Sequence, residues 1–391
     1  MYGGAGVHVE YLARDLARLV DLTVHCWGEE RPQPPEGPAV RSYRPWEQLA
    51  GSSAHAAALE AVSIDLTMAA GAEGAELVHS HTWYANLAGH LAKLLYGIPH
   101  VATVHSLEPM RPWKAEQLAG GYAVSSFCER TALEAADAVI AVSQEQARDV
   151  LACYPAIDRG RVSVIYNGID TERYRPDSGT DVLERYGIDP DRPSVVFVGR
   201  ITRQKGVTYA LDAALQFDPE AQFVLCAGAP DTPEIAAEIE AKVERVGAER
   251  GNIIWIDRML AREEVVQVVS HGTVFLCPSI YEPLGIVNLE AMACQAAVVA
   301  TRTGGIPEVV EDGVTGLLVP FEPRDDGSRD PVDPGRFASD IAERVNELLA
   351  DPGRAARMGE AGRRRAIEHF AWASIARETA DLYRGLVEAG R

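Results

Sequence analysis

Two carboxylates separated by seven residues, Glu282 and Glu290, flank a glycine in the stretch Ser279-Ile280-Tyr281-Glu282-Pro283-Leu284-Gly285-Ile286-Val287-Asn288-Leu289-Glu290-Ala291-Met292. The run before it, Val274-Phe275-Leu276-Cys277-Pro278, is apolar and β-rich and reads as a buried parallel strand ended by proline. Good helix formers follow Gly285, so a helix should begin there with its free N–H groups facing the strand end, where an anion can bind. Two carboxylates beside an anion site must answer hydroxyl groups rather than phosphate oxygens, because like charges repel. A nucleoside diphosphate joined to a sugar offers both kinds of group. A plain strand-to-helix turn with a solvated Glu290 accounts for the same residue types equally well.

Other residues of interest lie at the ends of predicted strands. Arg200 follows Gly199 just past an apolar strand, and Lys205 precedes Gly206. A guanidinium fork and an ammonium in one glycine-bounded loop suit a diphosphate, although two solvated loop cations would look alike. His105 ends the strand 100–104, at the edge where doubly wound sheets place their ligands; a buried and satisfied histidine is the alternative. His79 and His81 alternate on one strand and so share a face, but a metal reading of the pair has no third ligand nearby in sequence.

The elements that must carry these groups alternate between strand and helix, which predicts parallel sheets flanked by helices. A first round comprises strands at 22–26, 77–81, 100–104 and 138–142, with helices at 7–19, 54–71, 87–96, 121–135 and 144–153. Asn167-Gly168 supports a turn that ends it. A second round has strands at 194–198, 222–226, 253–256, 274–278, 298–301 and 316–319, and helices at 207–216, 233–250 and 262–269. The acidic, proline-rich span 320–334 reads as a flexible loop, and helices at 335–349, 352–369 and 373–389 follow. Asp189-Pro190-Asp191 is formally D-x-D, yet it sits in a proline loop and reads as a turn. At the start, Gly3-Gly4-Ala5-Gly6 reads as a glycine loop feeding a helix. No strand precedes that loop, so the first sheet is expected to lack one inner strand.

Composition narrows the function classes. The 391 residues suffice for two domains, and 37 basic against 57 acidic residues leave a net charge of -20. Such a body repels nucleic acid and anionic membrane surfaces, so neither is an expected partner. Six cysteines stand apart with no C-x-x-C pair, which fits reduced thiols in a cytoplasmic protein better than disulfides or zinc. No apolar run reaches membrane-spanning length.

The Glu-seven-Glu run resembles the signature of the retaining glycosyltransferases of the glycogen synthase and sucrose synthase type, family 4. Further pieces match in order: Gly3-Gly4-Ala5-Gly6, Val78-His79-Ser80-His81-Thr82-Trp83, Thr103-Val104-His105-Ser106, Tyr166-Asn167-Gly168-Ile169-Asp170 and Gly199-Arg200-Ile201-Thr202-Arg203-Gln204-Lys205-Gly206. The run 103–114 resembles the actinobacterial branch that makes α-glucan or its maltose 1-phosphate building block. The resemblance implies the α/β GT-B fold: two Rossmann-like, doubly wound domains facing a cleft, at 1–170 and 171–370, with the last helix, 371–391, crossing back to the first. It implies glucose transfer from ADP-glucose to glucose 1-phosphate, with α-glucan elongation from ADP-glucose or UDP-glucose as the alternative acceptor chemistry and a non-catalytic nucleotide-sugar binder as the rival class. No metal or other cofactor is implied, and a homodimer is the oligomeric expectation.

By the same resemblance His105, Arg200, Lys205 and Glu282 are the catalytic set. Gly4, Gly285, Ile286, Val287 and Glu290 join Arg200, Lys205 and Glu282 around the donor. Gly3, Arg111, Lys114 and Arg130 are acceptor candidates, the last three as a phosphate clamp, although Arg111-Pro112-Trp113 would equally serve as a sugar-stacking platform. Residues 257–260 are the expected adenine contacts on position alone. With no clear carboxylate nucleophile in view, same-face attack is expected, a donor phosphate oxygen taking the acceptor's proton.

Overall fold

The computed structural model describes residues 4–30, 37–49, 51, 55–111 and 120–390. They divide into two compact units, Met1–Gly168 with Trp372–Arg391, and Ile169–Ala371.

In the first unit, β1 (Thr23–Trp27) pairs in parallel with β2 (Ala39–Tyr43). A second, all-parallel sheet has the order β3 (Val78–His81), β4 (His100–Val104), β5 (Ala138–Ala141) and β6 (Val162–Val164). Among the described residues these remain two separate ladders. Every residue of β4 and β5 is buried, as expected of interior parallel strands covered on both faces. Helices Ala56–Gly71, Trp83–Tyr96, Gly121–Ala135 and Gln144–Cys153 flank them.

The opening segment differs from its expectation. Gly4 and Gly6 lie inside the helix Gly4–Leu16 rather than in a loop, and that helix stops at Leu16 rather than at 19. Each helical glycine costs about 1 kcal/mol relative to alanine. Burial of Tyr11, Leu12 and Leu16 against Trp372, Ile375, Ala376 and Tyr383 of the last helix, Trp372–Ala389, offsets that cost. The last helix therefore completes the core of the first unit, as the resemblance implied.

The second unit holds one six-stranded parallel sheet in the order β12 (Gly316–Val319), β11 (Ala297–Thr301), β10 (Val274–Cys277), β7 (Ser194–Arg200), β8 (Gln222–Gly228), β9 (Ile253–Ile256). The chain runs outward from β7 to β9 and then returns to lay β10 on the other side of β7. The strand order thus reverses between β7 and β10, and the loops leaving their carboxyl ends border the crevice where such sheets bind ligands. Strand β7 extends to Arg200, two residues beyond the sequence expectation, because Gly199 and Arg200 still pair with Ala227 and Gly228. The span 320–334 is no open loop: Arg324 N donates to Asp330 O, Val332 N donates to Glu322 O, and the Tyr209 hydroxyl donates to Asp330. Helices Pro334–Leu349 and Pro352–His369 start where a capping aspartate precedes proline, with Asp333 and Asp351 accepting from Arg336 N and Arg354 N. Asp191 N donates to Asp189 Oδ1, so the D-x-D run is a turn closed on itself. No helix among the described residues is long and apolar enough to cross a membrane.

One buried acid gives this fold a pH signature. Asp65, on the helix Ala56–Gly71, is fully buried; one carboxylate oxygen accepts from Ala88 N at 3.3 Å and the other has no hydrogen-bond partner among the described residues. Burial pushes its pKa from the usual 3.8 up to about 7, the Ala88 bond opposing only in part. The folded state therefore prefers the protonated acid, and the wild type loses stability as pH climbs through that window. Asp65→Asn escapes the loss, so its stability relative to wild type should rise by up to about 4 kcal/mol between pH 4 and 7 in urea titrations. Parallel curves for the two proteins would contradict this.

Candidate functional site

In the second unit the two loops at the reversal of strand order meet. Ile280 N donates to Gln204 O at 3.0 Å, tying the loop after β10 to the loop after β7. Gly206 has φ +65, and a Cβ there would collide with the Pro278 carbonyl oxygen, so glycine is needed for the loops to approach this closely. Lys205 Nζ then donates to Glu282 Oε2 at 2.6 Å, and Ser279 Oγ donates to the same oxygen at 3.3 Å. Burial favours the neutral amine of Lys205, but the adjoining Glu282 carboxylate more than reverses this and holds its pKa above the usual lysine range.

Glu282 is in turn fixed from behind. Gly305 N donates to its carbonyl oxygen at 3.0 Å, and Gly304, at φ +51, leaves no room for a Cβ against that same carbonyl. Gly285 adopts φ +98 and caps the helix Ile286–Ala293, so the leading N–H groups, which have no intrahelical acceptor, start beside Glu282. Asn288, fully buried in the first turn, makes no side-chain hydrogen bond among the described residues.

The remaining donor candidates spread around this centre. Arg200 is half-exposed and pairs with Asp231 at 3.1 Å, while its charge still bears on Lys205. Glu290 does not share the Lys205 contact. It is half-buried beside Val198, Phe275 and Tyr174, where desolvation raises its pKa against a hydrogen bond from Tyr174. Residues 257–260 follow β9, with the Arg258 guanidinium lying over the Tyr186 ring at 5.5 Å.

The first unit gathers its own polar set at the ends of β3 and β4. His81 Nδ1 and His105 Nε2 share a hydrogen bond at 3.1 Å. His79 is held on both sides, by the Tyr383 hydroxyl at 2.6 Å and Thr103 Oγ1 at 2.7 Å. His8 packs edge-on against His105 with ring centroids 4.7 Å apart. Burial lowers the His105 pKa well below the usual imidazole range, and His8 and His81 add to the effect. Arg111 donates to Glu108 at 2.6 Å, a fully buried carboxylate that also accepts from Ser125, so any phosphate at Arg111 would share it with that anion. Arg130 is exposed on the helix Gly121–Ala135, Gly4 opens the first helix, and Gly3 and Lys114 lie outside the described residues.

Sequence reasoning did not single out Ser279, the Gly304-Gly305 pair, Asp231, Tyr174, His8 or Tyr383. A signal existed for His8, which shares a helical stripe with Tyr11 and Leu12. The others reach the site only through tertiary placement.

A family model described as Glycosyltransferase Family 4 matches residues 2–173, and one described as Glycosyl transferases group 1 matches 180–365. The chain is 54% identical over 387 residues to the Alpha-maltose-1-phosphate synthase of Mycolicibacterium smegmatis, covering 98% of this chain and 96% of that one. Its identity to the Alpha-maltose-1-phosphate synthase of Mycobacterium tuberculosis is 52%, with the same coverage. Among solved structures, sucrose-phosphate synthase from Thermosynechococcus elongatus superposes at TM-score 0.80 with 26% identity, covering 99% of this chain and 94% of that one. HepE of Anabaena, in complex with UDP and glucose, superposes at 0.75 with 20% identity, covering 98% and 96%.

The support behind Glu282 sets a stability test. Gly304→Ala places a side chain in a left-handed conformation and against a carbonyl oxygen, and should lower unfolding free energy by about 1–3 kcal/mol in denaturant titrations. An unchanged midpoint would show that this loop yields at little cost.

Proposed function

This chain belongs to the family 4 glycosyltransferases, and from that we propose that it moves glucose from ADP-glucose to glucose 1-phosphate, giving α-maltose 1-phosphate with retention at the anomeric carbon. The 54% identity to an Alpha-maltose-1-phosphate synthase supports the product, and glucose 1-phosphate is the acceptor that a glucosyl transfer to that product requires. The observation that carries the chemistry is the contact of Lys205 with Glu282 beside the Gly285 helix start, at the point where the sheet order reverses.

Glycosyl transfer passes through a cationic sugar, so the main electrostatic task is to stabilise the departing diphosphate. Lys205 and Arg200 supply the cations, and the leading N–H groups at Ile286 and Val287 supply donors without adding charge. Glu282 accepts from sugar hydroxyls and Glu290 from the ribose. His105 contacts the transferred glucose. The bond between the anomeric carbon and the diphosphate oxygen breaks, ADP leaves with the electron pair, the acceptor's 4-hydroxyl oxygen bonds the anomeric carbon from the same face, and its proton passes to the departing phosphate oxygen. Accumulation of a glycosyl–enzyme adduct would overturn this route. The protein works in the cytoplasm on this reading.

Because Arg111 is already occupied by Glu108, the acceptor phosphate falls to Lys114 and Arg130. Glucan elongation is the second reading, favoured if Arg111-Pro112-Trp113 serves as a sugar platform. The deciding experiment incubates the protein with ADP-glucose or UDP-glucose, each with glucose 1-phosphate or glycogen, and follows ADP or UDP release and product mass. A product of disaccharide phosphate mass is expected from ADP-glucose with glucose 1-phosphate; extension of glycogen alone would move the assignment to elongation.

Two substitutions separate the roles. Lys205→Ala should lower kcat/KM by roughly 10²–10³, the size of losing one preorganised donor to a developing anion. A change under threefold would remove Lys205 from the leaving-group site. Lys114→Ala should raise the KM for glucose 1-phosphate far more than that for ADP-glucose; equal effects would end the phosphate-clamp assignment.

A further inference from the structure

Among the described residues one group of side chains has the makings of a metal centre, and glucosyl transfer as proposed above uses only one of its members, His105. His8, His81 and His105 each offer a ring nitrogen, and the three atoms lie within 4.8 Å of one another. They come from the first helix, the end of β3 and the residue after β4, positions set by core packing rather than by mobile loops. The pair His81 and His105 already stands at 3.1 Å between nitrogens, close to the roughly 3.3 Å that two imidazoles span on a tetrahedral ion with metal–nitrogen bonds of about 2.0–2.1 Å.

His8 is the second observation. It is only 2% exposed, its ring lies against both His81 and His105, and since Asn167 can meet only one ring nitrogen, at least one nitrogen has no hydrogen-bond partner among the described residues. A buried ring nitrogen without a partner is costly, and a bound metal ion would satisfy it. His79, although its ring is 4.2 Å from His81, is excluded as a ligand because Tyr383 and Thr103 take both nitrogens. No carboxylate belongs to the group. Three neutral imidazoles suit zinc-class divalent ions and offer nothing to calcium or magnesium, which require oxygen ligands.

We propose that His8, His81 and His105 form a three-imidazole site for a zinc-class divalent ion, and that its occupation inhibits glucosyl transfer by withdrawing His105 from the donor sugar. The inhibitory half rests on the role given to His105 above; the binding half does not. An ion entering the site displaces the His81–His105 hydrogen bond and leaves one coordination position for water.

The test uses the full chain without any polyhistidine tag, stripped with a chelator. Co²⁺ titration, with no sugar nucleotide present, should give a saturable visible band of tetrahedral cobalt at one ion per chain, abolished by Zn²⁺. His8→Gln, checked for folding by circular dichroism, should weaken binding roughly tenfold or more. If that variant does not fold, His81→Gln takes its place in the binding arm. In the transfer assay Zn²⁺ should inhibit the wild type, while His8→Gln keeps the metal-free rate and resists the ion. No saturable band with folded wild type, or unchanged binding after loss of His8, overturns the site. An ion that binds and leaves transfer untouched overturns the inhibitory half.

Discussion

A lysine ammonium 2.6 Å from a carboxylate, where both chains come off the same edge of a parallel sheet, is the constraint that the second unit is built to satisfy. Taking two charges partly out of water is expensive unless each answers the other. The pairing therefore fixes both the loop after β7 and the loop after β10, and glycines at 206, 285 and 304 supply the close backbone approaches that let it form. The ion pair also defines what a ligand must do. On the proposed function, a diphosphate that takes Lys205 leaves Glu282 to accept from sugar hydroxyls.

Much of this was legible in the chain, for reasons that differ by element. A fully buried strand such as β10 announces itself as an unbroken apolar run, and Asp-Pro pairs mark the starts of the helices at 334 and 352. Strand β2 does not stand out, because Ala39–Tyr43 alternates between half-buried and exposed without a strong apolar signal. Strand β6 is three residues long. The glycines at 4 and 6 misled, since composition says loop while tertiary burial of Tyr11 and Leu12 says helix.

The site was legible as residue types and not as contacts. Glu282 and Lys205 are 77 residues apart, so only the reversal of strand order brings them together. Arg200 and Glu290 were visible as charges, whereas their partners Asp231 and Tyr174 lie on elements that carry no motif. The histidines show the same limit more sharply. Alternate strand positions placed His79 with His81, but nothing in local spacing could join them to His8, which sits on the first helix about seventy residues earlier.

The first unit is assembled from two distant stretches of chain, and this bears on how the protein is made. Residues 169–371 form a contiguous unit that can close as soon as it clears the ribosome. The residues before 169 emerge earlier, yet Trp372, Ile375, Ala376 and Tyr383 reach them only after that whole body has been translated. Until then Tyr11 and Leu12 lack the cover that the last helix gives them, and the Tyr383 bond to His79 cannot form. The core of the first unit is therefore complete only once the last helix, Trp372–Ala389, has been made.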